Sequence, residues 1–210
     1  MIERVIFDLG GVVFNWQPTK VLAKLLPERI QSEEEARHWA SEIFQTFQPE
    51  SDWALFDLGQ IEPDPLADRI AARTALSREE VLTVIHGIPP KLTPMTGTVD
   101  LIHELHSQGV PLYFLSNMPS SYADILLGAN PFFDRFIDSI FSAHVQQIKP
   151  ERDIFHNADT RFGAAGPGTL FVDDSRPNID TARAHGWHAL HFQDPEQCRR
   201  EMQAHGLLQA

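Results

Sequence analysis

The sequence has 210 residues, 42 % of them hydrophobic, with a formal net charge of −12. That length supports a sizeable core, and that charge argues against a nucleic-acid backbone or an anionic membrane as the main partner, while a phosphorylated metabolite needs only local positive charge. The single cysteine, Cys198, excludes an intrachain disulfide and fits a reducing compartment; with no apolar run able to span a bilayer and no cleavage pattern after Arg4, a cytoplasmic location is expected.

Taken in chain order, "RVIFDLGGVVF" reads as a buried strand followed by a tight turn, the pattern of a parallel strand covered on both faces. Residues 16–88 then read as helical throughout, with no strand candidate. Two capping boxes, Ser32 with Glu35 and Ser77 with Glu80, mark helix starts. Ala36, Ala40, Ile43, Phe44 and Phe47 form a helical stripe that places Phe44 and Phe47 in a small core of this block. "SDWALFDLGQIEPDPLADRIAARTAL" reads as one further helix. Trp16, directly after the first turn, is the better candidate for a pocket wall.

From residue 89 onward helix and strand alternate. "TGTVDLIHELHSQG" is a helix, "VPLYFLSN" a strand ending in Ser116 and Asn117, "SSYADILLGA" a helix and "FIDSIFSA" a strand. "KPERDIFHNADTRFG" begins a helix with Pro150 near its first turn, "GTLFVDD" is a strand ending in Asp173 and Asp174, and "RPNIDTARAHG", "WHALHF" and "DPEQCRREMQAHG" follow as helix, strand and helix. This alternation predicts an α/β fold with a Rossmann-like, mostly parallel sheet flanked by helices. The expected division is a core of residues 1–15 and 89–210 with a helical cap of residues 16–88 inserted after the first strand.

Ligands of an open parallel sheet bind beyond the carboxyl ends of its strands. Asp8, Ser116 with Asn117, Lys149 with Pro150, and Asp173 with Asp174 all fall at such ends. Folding alone asks for no cluster of carboxylates there. Three neighbouring acids repel one another, and burial would raise their pKa values. A hard divalent cation resolves that conflict, and Mg²⁺ is typically held by one or two carboxylates together with a substrate phosphate. Lys149 and Ser116 add groups able to meet phosphate oxygens. Gly10 and Gly11 allow a turn tight enough for a backbone carbonyl to face the metal and N–H groups to face the phosphate. Asp8 is then the natural nucleophile, since carboxylates form acyl-phosphate intermediates. Taken singly, each of these residues also suits a turn or helix cap; their joint placement carries the functional reading. The ten histidines show no zinc-like grouping: His103 and His106 read as solvent-facing, and His185, His188 and His191 as lying away from the site.

On the motifs "DLGGV" from Asp8, "FLSN" with Ser116, "QIKPERDIF" with Lys149 and "LFVDDSRPNID" with Asp173 and Asp174, the chain resembles the haloacid dehalogenase-like superfamily over essentially its whole length. "WALFDLGQIEPDPLADRI" resembles the helical cap of the subgroup whose cap follows the first motif, close to its "FDLGN"-type sugar-phosphate phosphatases. The resemblance implies Asp8 as nucleophile and metal ligand, the Gly10 carbonyl as second ligand, Asp174 as direct ligand and Asp173 in a nearby or water-mediated role. It implies Ser116, Asn117 and Lys149 as the phosphate-holding set, and Mg²⁺-dependent hydrolysis of a small phosphorylated metabolite, with sugar phosphates among the candidates. One departure stands out. Family phosphatases usually carry a second aspartate two residues after the nucleophile, which protonates the leaving group and activates water; here that position is Gly10. Acid–base help of that kind is worth about 10²–10⁴ in rate. His144 and Asn178 are the neighbours considered as stand-ins. Two alternatives accompany the main reading: a metal-independent 2-haloacid dehalogenase, and a non-catalytic domain that binds a protein partner.

Overall fold

The structure is a computed structural model and describes residues 1–48 and 50–209. Its sheet has five strands, β1 (Arg4–Phe7), β2 (Leu112–Ser116), β3 (Asp138–Phe141), β4 (Thr169–Asp173) and β5 (His188–His191), in the order β3-β2-β1-β4-β5. Every pairing is parallel, with Phe7 opposite Phe114 on one side and Val172 on the other. The expected Rossmann-like sheet is therefore present, and β1, first in the chain, is central in the sheet.

Alternation along the strands divides the interior in two. Val5, Phe7, Leu112, Phe114, Leu170 and Val172 face one hydrophobic cluster, which continues into the inserted helices. Ile6, Tyr113, Leu115, Ile140 and Phe171 face the other, packed by Ile154, Phe155 and Ile179. The latter three belong to α9 (Arg152–Phe162) and α10 (Arg176–His185). The opposite face is covered by α6 (Thr96–Ser107) and α11 (Pro195–Ala204). The remaining core helices are α7 (Ser120–Ala129) and the single turn α8 (Ser142–Val145). Helix α9 starts two residues later than Pro150, which precedes it in a turn joined to Lys149 by a cis peptide.

Between β1 and α6 lie five helices: α1 (Pro18–Leu25), α2 (Glu33–Phe44), α3 (Asp52–Asp57), α4 (Pro63–Arg73) and α5 (Arg78–Gly87). The chain enters and leaves this insertion side by side, with the Asn15 N–H donating to the Thr93 carbonyl and the Met95 N–H to the Val13 carbonyl, both at 2.8 Å. Ser77 and Glu80 form a complete capping box. At Ser32 the reciprocal arm is displaced: Glu35 accepts from the Gln31 N–H at 2.8 Å rather than from the Ser32 N–H. The stretch expected as one helix is two, α3 and α4, because Gly59 turns the chain at φ +67° and Pro63 starts a new helix. Among the described residues no helix is long and apolar enough to cross a membrane.

Candidate active site

Asp8 stands one residue beyond β1, and its N–H continues the ladder by donating to the Val172 carbonyl at 2.8 Å. The turn that follows is held by the Val13 and Phe14 N–H groups, which donate to the Leu9 carbonyl at 2.9 and 2.8 Å. Gly11 is required in it: its φ is +76°, and a Cβ there would lie 2.2 Å from Asp174 Oδ2. Gly10 is under no such constraint, since its nearest neighbour would be the Trp16 side chain at 3.8 Å.

The separate stretches of chain do converge. Lys149 Nζ lies 2.9 Å from Asp8 Oδ1 and 2.7 Å from Asp173 Oδ2, and all three residues are buried. Carboxylate oxygens of Asp8, Asp173 and Asp174 lie within 4.8 Å of one another. Asp173 is saturated: besides Lys149 it accepts from the Ser175 N–H at 2.7 Å and from Asn178 Nδ2 at 3.0 Å. Asp8 accepts from the Leu9 N–H at 2.7 Å. Asp174 is the exposed member and keeps its carboxylate open to the cavity.

The electrostatics follow from that packing. Burial pushes the Asp8 carboxyl up to about 7, Lys149 pulls it down, and Asp173 and Asp174 push it up again. Burial also raises Asp174, with Asp173 adding to it. For Lys149 burial acts to lower the pKa, but the Asp173 and Asp8 carboxylates outweigh it and the net direction is up. Three carboxylates against one ammonium leave the cluster short of positive charge, which is the donor set and charge that a hard divalent cation fits.

The Ser116 hydroxyl is buried at the end of β2 and makes no hydrogen bond among the described residues, so its donor is available to a ligand. Asn117 is used differently: its amide clamps the Lys149 backbone from both sides, donating to the carbonyl and accepting from the N–H, each at 2.9 Å. The Asn117 side chain thus positions Lys149. Asn178 reaches Asp173, whereas His144 packs its ring against Phe141. His191, expected to lie away from the site, sits opposite Asp173 in the sheet, and its Nε2 is 2.9 Å from the Asp174 carbonyl. His103 and His106 are solvent-exposed, as expected.

A cavity of about 660 Å³ opens above this cluster, between the strand ends and the inserted helices. Trp16 lines it, as expected, and so do Trp53, Leu92, Met118 and Tyr122. Phe47 corrects the expectation of a cap-core residue: it is 48 % exposed, stacks on the buried Phe44 at 5.1 Å and faces the cavity. Residues 45–47 have positive φ, which breaks the helical register that the stripe assumed. Asp57, at the end of α3, also lines the cavity and was missed in the sequence. The signal was present: Asp57 falls four residues after Trp53 and three after Ala54, on the apolar stripe of its helix.

A parallel α/β sheet with a helical insertion after its first strand and an Asp–Lys–Asp–Asp mouth defines a hydrolase of the capped Rossmann-like class. A family model described as haloacid dehalogenase-like hydrolase matches residues 2–186, and the chain belongs to that family. It is 29 % identical over 196 residues to the sesquiterpene phosphatase astK of Aspergillus oryzae, covering 91 % of this chain and 90 % of that protein. Among solved structures, a HAD family enzyme of Bacteroides thetaiotaomicron, bt-2542, in complex with magnesium and inorganic phosphate, superposes with a TM-score of 0.69 at 22 % identity, over 92 % of this chain and 95 % of that one. An L-2-haloacid dehalogenase of Xanthobacter autotrophicus superposes with a TM-score of 0.68 at 18 % identity, over 99 % and 85 % of the two chains.

Proposed function

We propose that the chain hydrolyses phosphate monoesters of small, largely apolar alcohols through an aspartyl-phosphate on Asp8. The observation that carries this reading is the Lys149 ammonium, seated 2.9 Å from Asp8 and 2.7 Å from Asp173 at the mouth of the cavity. It lowers the repulsion between an incoming phosphate and the Asp8 carboxylate and neutralises charge on the transferring oxygens. The Ser116 hydroxyl is placed to donate to the same group. Asp8, the Gly10 carbonyl and Asp174 would hold Mg²⁺, with Asp173 behind them fixing Lys149. That ion supplies Lewis-acid charge at the phosphoryl oxygens. Division of the chain into core (1–15, 89–210) and cap (16–88) belongs to this reading, the cap excluding water and selecting the organic group.

The wall of the cavity favours an apolar organic part. Trp16, Phe47, Trp53, Leu92, Met118 and Tyr122 offer surface for hydrocarbon and little to pair the several hydroxyls of a sugar. The full-length similarity to a protein named as a sesquiterpene phosphatase points the same way. Both move support from the sugar phosphates of the sequence reading to apolar esters. A cytoplasmic location belongs to the same proposal, and fractionation of cells tests it.

The test is phosphate release from a panel containing farnesyl phosphate, glucose 1-phosphate and p-nitrophenyl phosphate, each with Mg²⁺ and with EDTA. Release that requires Mg²⁺ and favours the apolar esters is expected. Halide release from a 2-haloacid in EDTA would establish dehalogenation instead, and neither activity would leave a binding domain.

A further inference from the structure

The position two residues after Asp8, where the family resemblance leads one to expect an acid at the leaving oxygen, holds Gly10, which has no side chain. Three acids line the cavity among the described residues: Asp8, Asp174 and Asp57. The first two belong to the phosphate end. Asp57 comes from the opposite wall, at the last residue of α3. The residue is 8 % exposed, and among the described residues its carboxyl has no hydrogen-bond or ion-pair partner. The carboxyl is not sealed in the core: the residue lines the cavity, where its oxygens are free to meet a bound molecule.

Its backbone, by contrast, is firmly placed. The Ser142 hydroxyl donates to the Asp57 carbonyl while accepting from the Met118 N–H at 2.8 Å, tying the cap to the loop after β2. Two residues on, Gly59 passes so near α8 that a Cβ would lie 3.0 Å from the Ala143 carbonyl. Ser142 and Ala143 of the core thus fix the chain around Asp57 at two points. Asp57 is also close enough to feel Asp8 and Lys149. Burial, with a further push from Asp8 and an opposing pull from Lys149, brings its carboxyl to about 8. It therefore keeps its proton at neutral pH and can give it up, which suits a general acid.

We propose, resting on the phosphatase reading above, that Asp57 is the catalytic acid and base, supplied by the cap in place of the residue missing at Gly10. In the first step Asp8 Oδ forms a bond to phosphorus, the phosphorus–oxygen ester bond breaks, and the Asp57 proton goes to the departing alcohol oxygen. Alcohol, aspartyl-phosphate and an Asp57 carboxylate result. In the second step that carboxylate takes a proton from water, the water oxygen bonds to phosphorus, and the bond to Asp8 breaks. Phosphate leaves, and both aspartates return to their starting states.

The dependence on leaving group tests this. In Asp57→Asn, kcat/KM for an alkyl phosphate falls about 10²-fold or more, because an alkoxide leaves poorly without a proton. For p-nitrophenyl phosphate, whose phenolate needs none, kcat/KM falls less than about tenfold, while quenched samples show phosphate accumulating on the protein. An equal fall for both esters, or no fall, overturns the assignment while leaving the phosphatase reading intact. Should the variant not fold, the wild-type protein decides: kcat/KM nearly independent of alcohol pKa supports the role, and a steep dependence overturns it. If the wild-type protein releases phosphate from no ester, the phosphatase reading itself falls and takes this role with it.

Discussion

At the scale of single residues, three carboxylates and a lysine do work that their types foretell and their surroundings decide. Asp8→Asn keeps the shape and removes the proposed nucleophile; turnover should be abolished and the melting curve preserved, as phosphate-release assays and calorimetry would show. Replacing Lys149 by Met leaves Asp8 and Asp173 buried without their counter-charge, so denaturant titration in EDTA should show a loss of about 3–5 kcal/mol. Asp57 gives a pH signature. Its native carboxyl binds a proton up to about 8, against an ordinary 3.8, so the native state holds a proton the unfolded chain has released. The associated stability is present below the ordinary value and is lost as pH rises through the native one. Asparagine does not titrate, and Asp57→Asn should therefore gain on the wild-type protein as pH climbs across that window. Thermal melts in EDTA at several pH values measure it. Asp8, Asp173 and Asp174 were legible in the sequence because each closes or directly follows a strand-like run; Lys149 reads as a strand-end residue too, but it lies beyond β3 and the short α8, and the fold brings it back to the strand ends. Asp57 left only a weaker signal, an acid on the apolar stripe at the end of its helix, and only the tertiary fold turns that helix end toward the strand ends.

At the scale of elements, the tetrapeptide Phe-Asp-Leu-Gly occurs twice, at residues 7–10 and 56–59, once after a strand and once closing a helix. Both copies deliver an aspartate to the same cavity. Local sequence does not separate them; the β-branched, all-apolar run before the first and the Ser51 cap before the second do. The turn after β1 offers a sharp contrast between neighbours. Gly11→Ala meets a positive φ and the Asp174 carboxylate, and should cost at least about 1–2 kcal/mol. Gly10→Ala meets only ordinary contact with Trp16 and should be tolerated. Equilibrium unfolding of the two variants checks both statements. The strand and helix sequence of the core was readable from periodicity, while the break between α3 and α4 was masked by a continuous apolar pattern across Gly59. Phe47 was misplaced for a related reason, since three consecutive positive-φ residues end the helix before its stripe runs out.

At the scale of the whole molecule, the order β3-β2-β1-β4-β5 gathers Asp8, Ser116 and the Asp173–Asp174 pair at one edge, and the insertion supplies the opposite wall. Parallel topology made the first half of that statement accessible from sequence. The second half depends on contacts between cap and core, such as Ser142 with Asp57, that join residues 85 positions apart and leave no periodic trace. Because Phe47 projects into the cavity from the cap, Phe47→Ala should lower kcat/KM for farnesyl phosphate by about tenfold and leave p-nitrophenyl phosphate closer to its wild-type value. All of this depends on covalent chemistry at Asp8. Rapid quenching of the protein with Mg²⁺ and an apolar phosphate ester, followed by peptide mass spectrometry, tests it most directly. Phosphate should be found on the peptide containing Asp8, and be absent in EDTA and in Asp8→Asn. Normal phosphate release by Asp8→Asn would contradict the account.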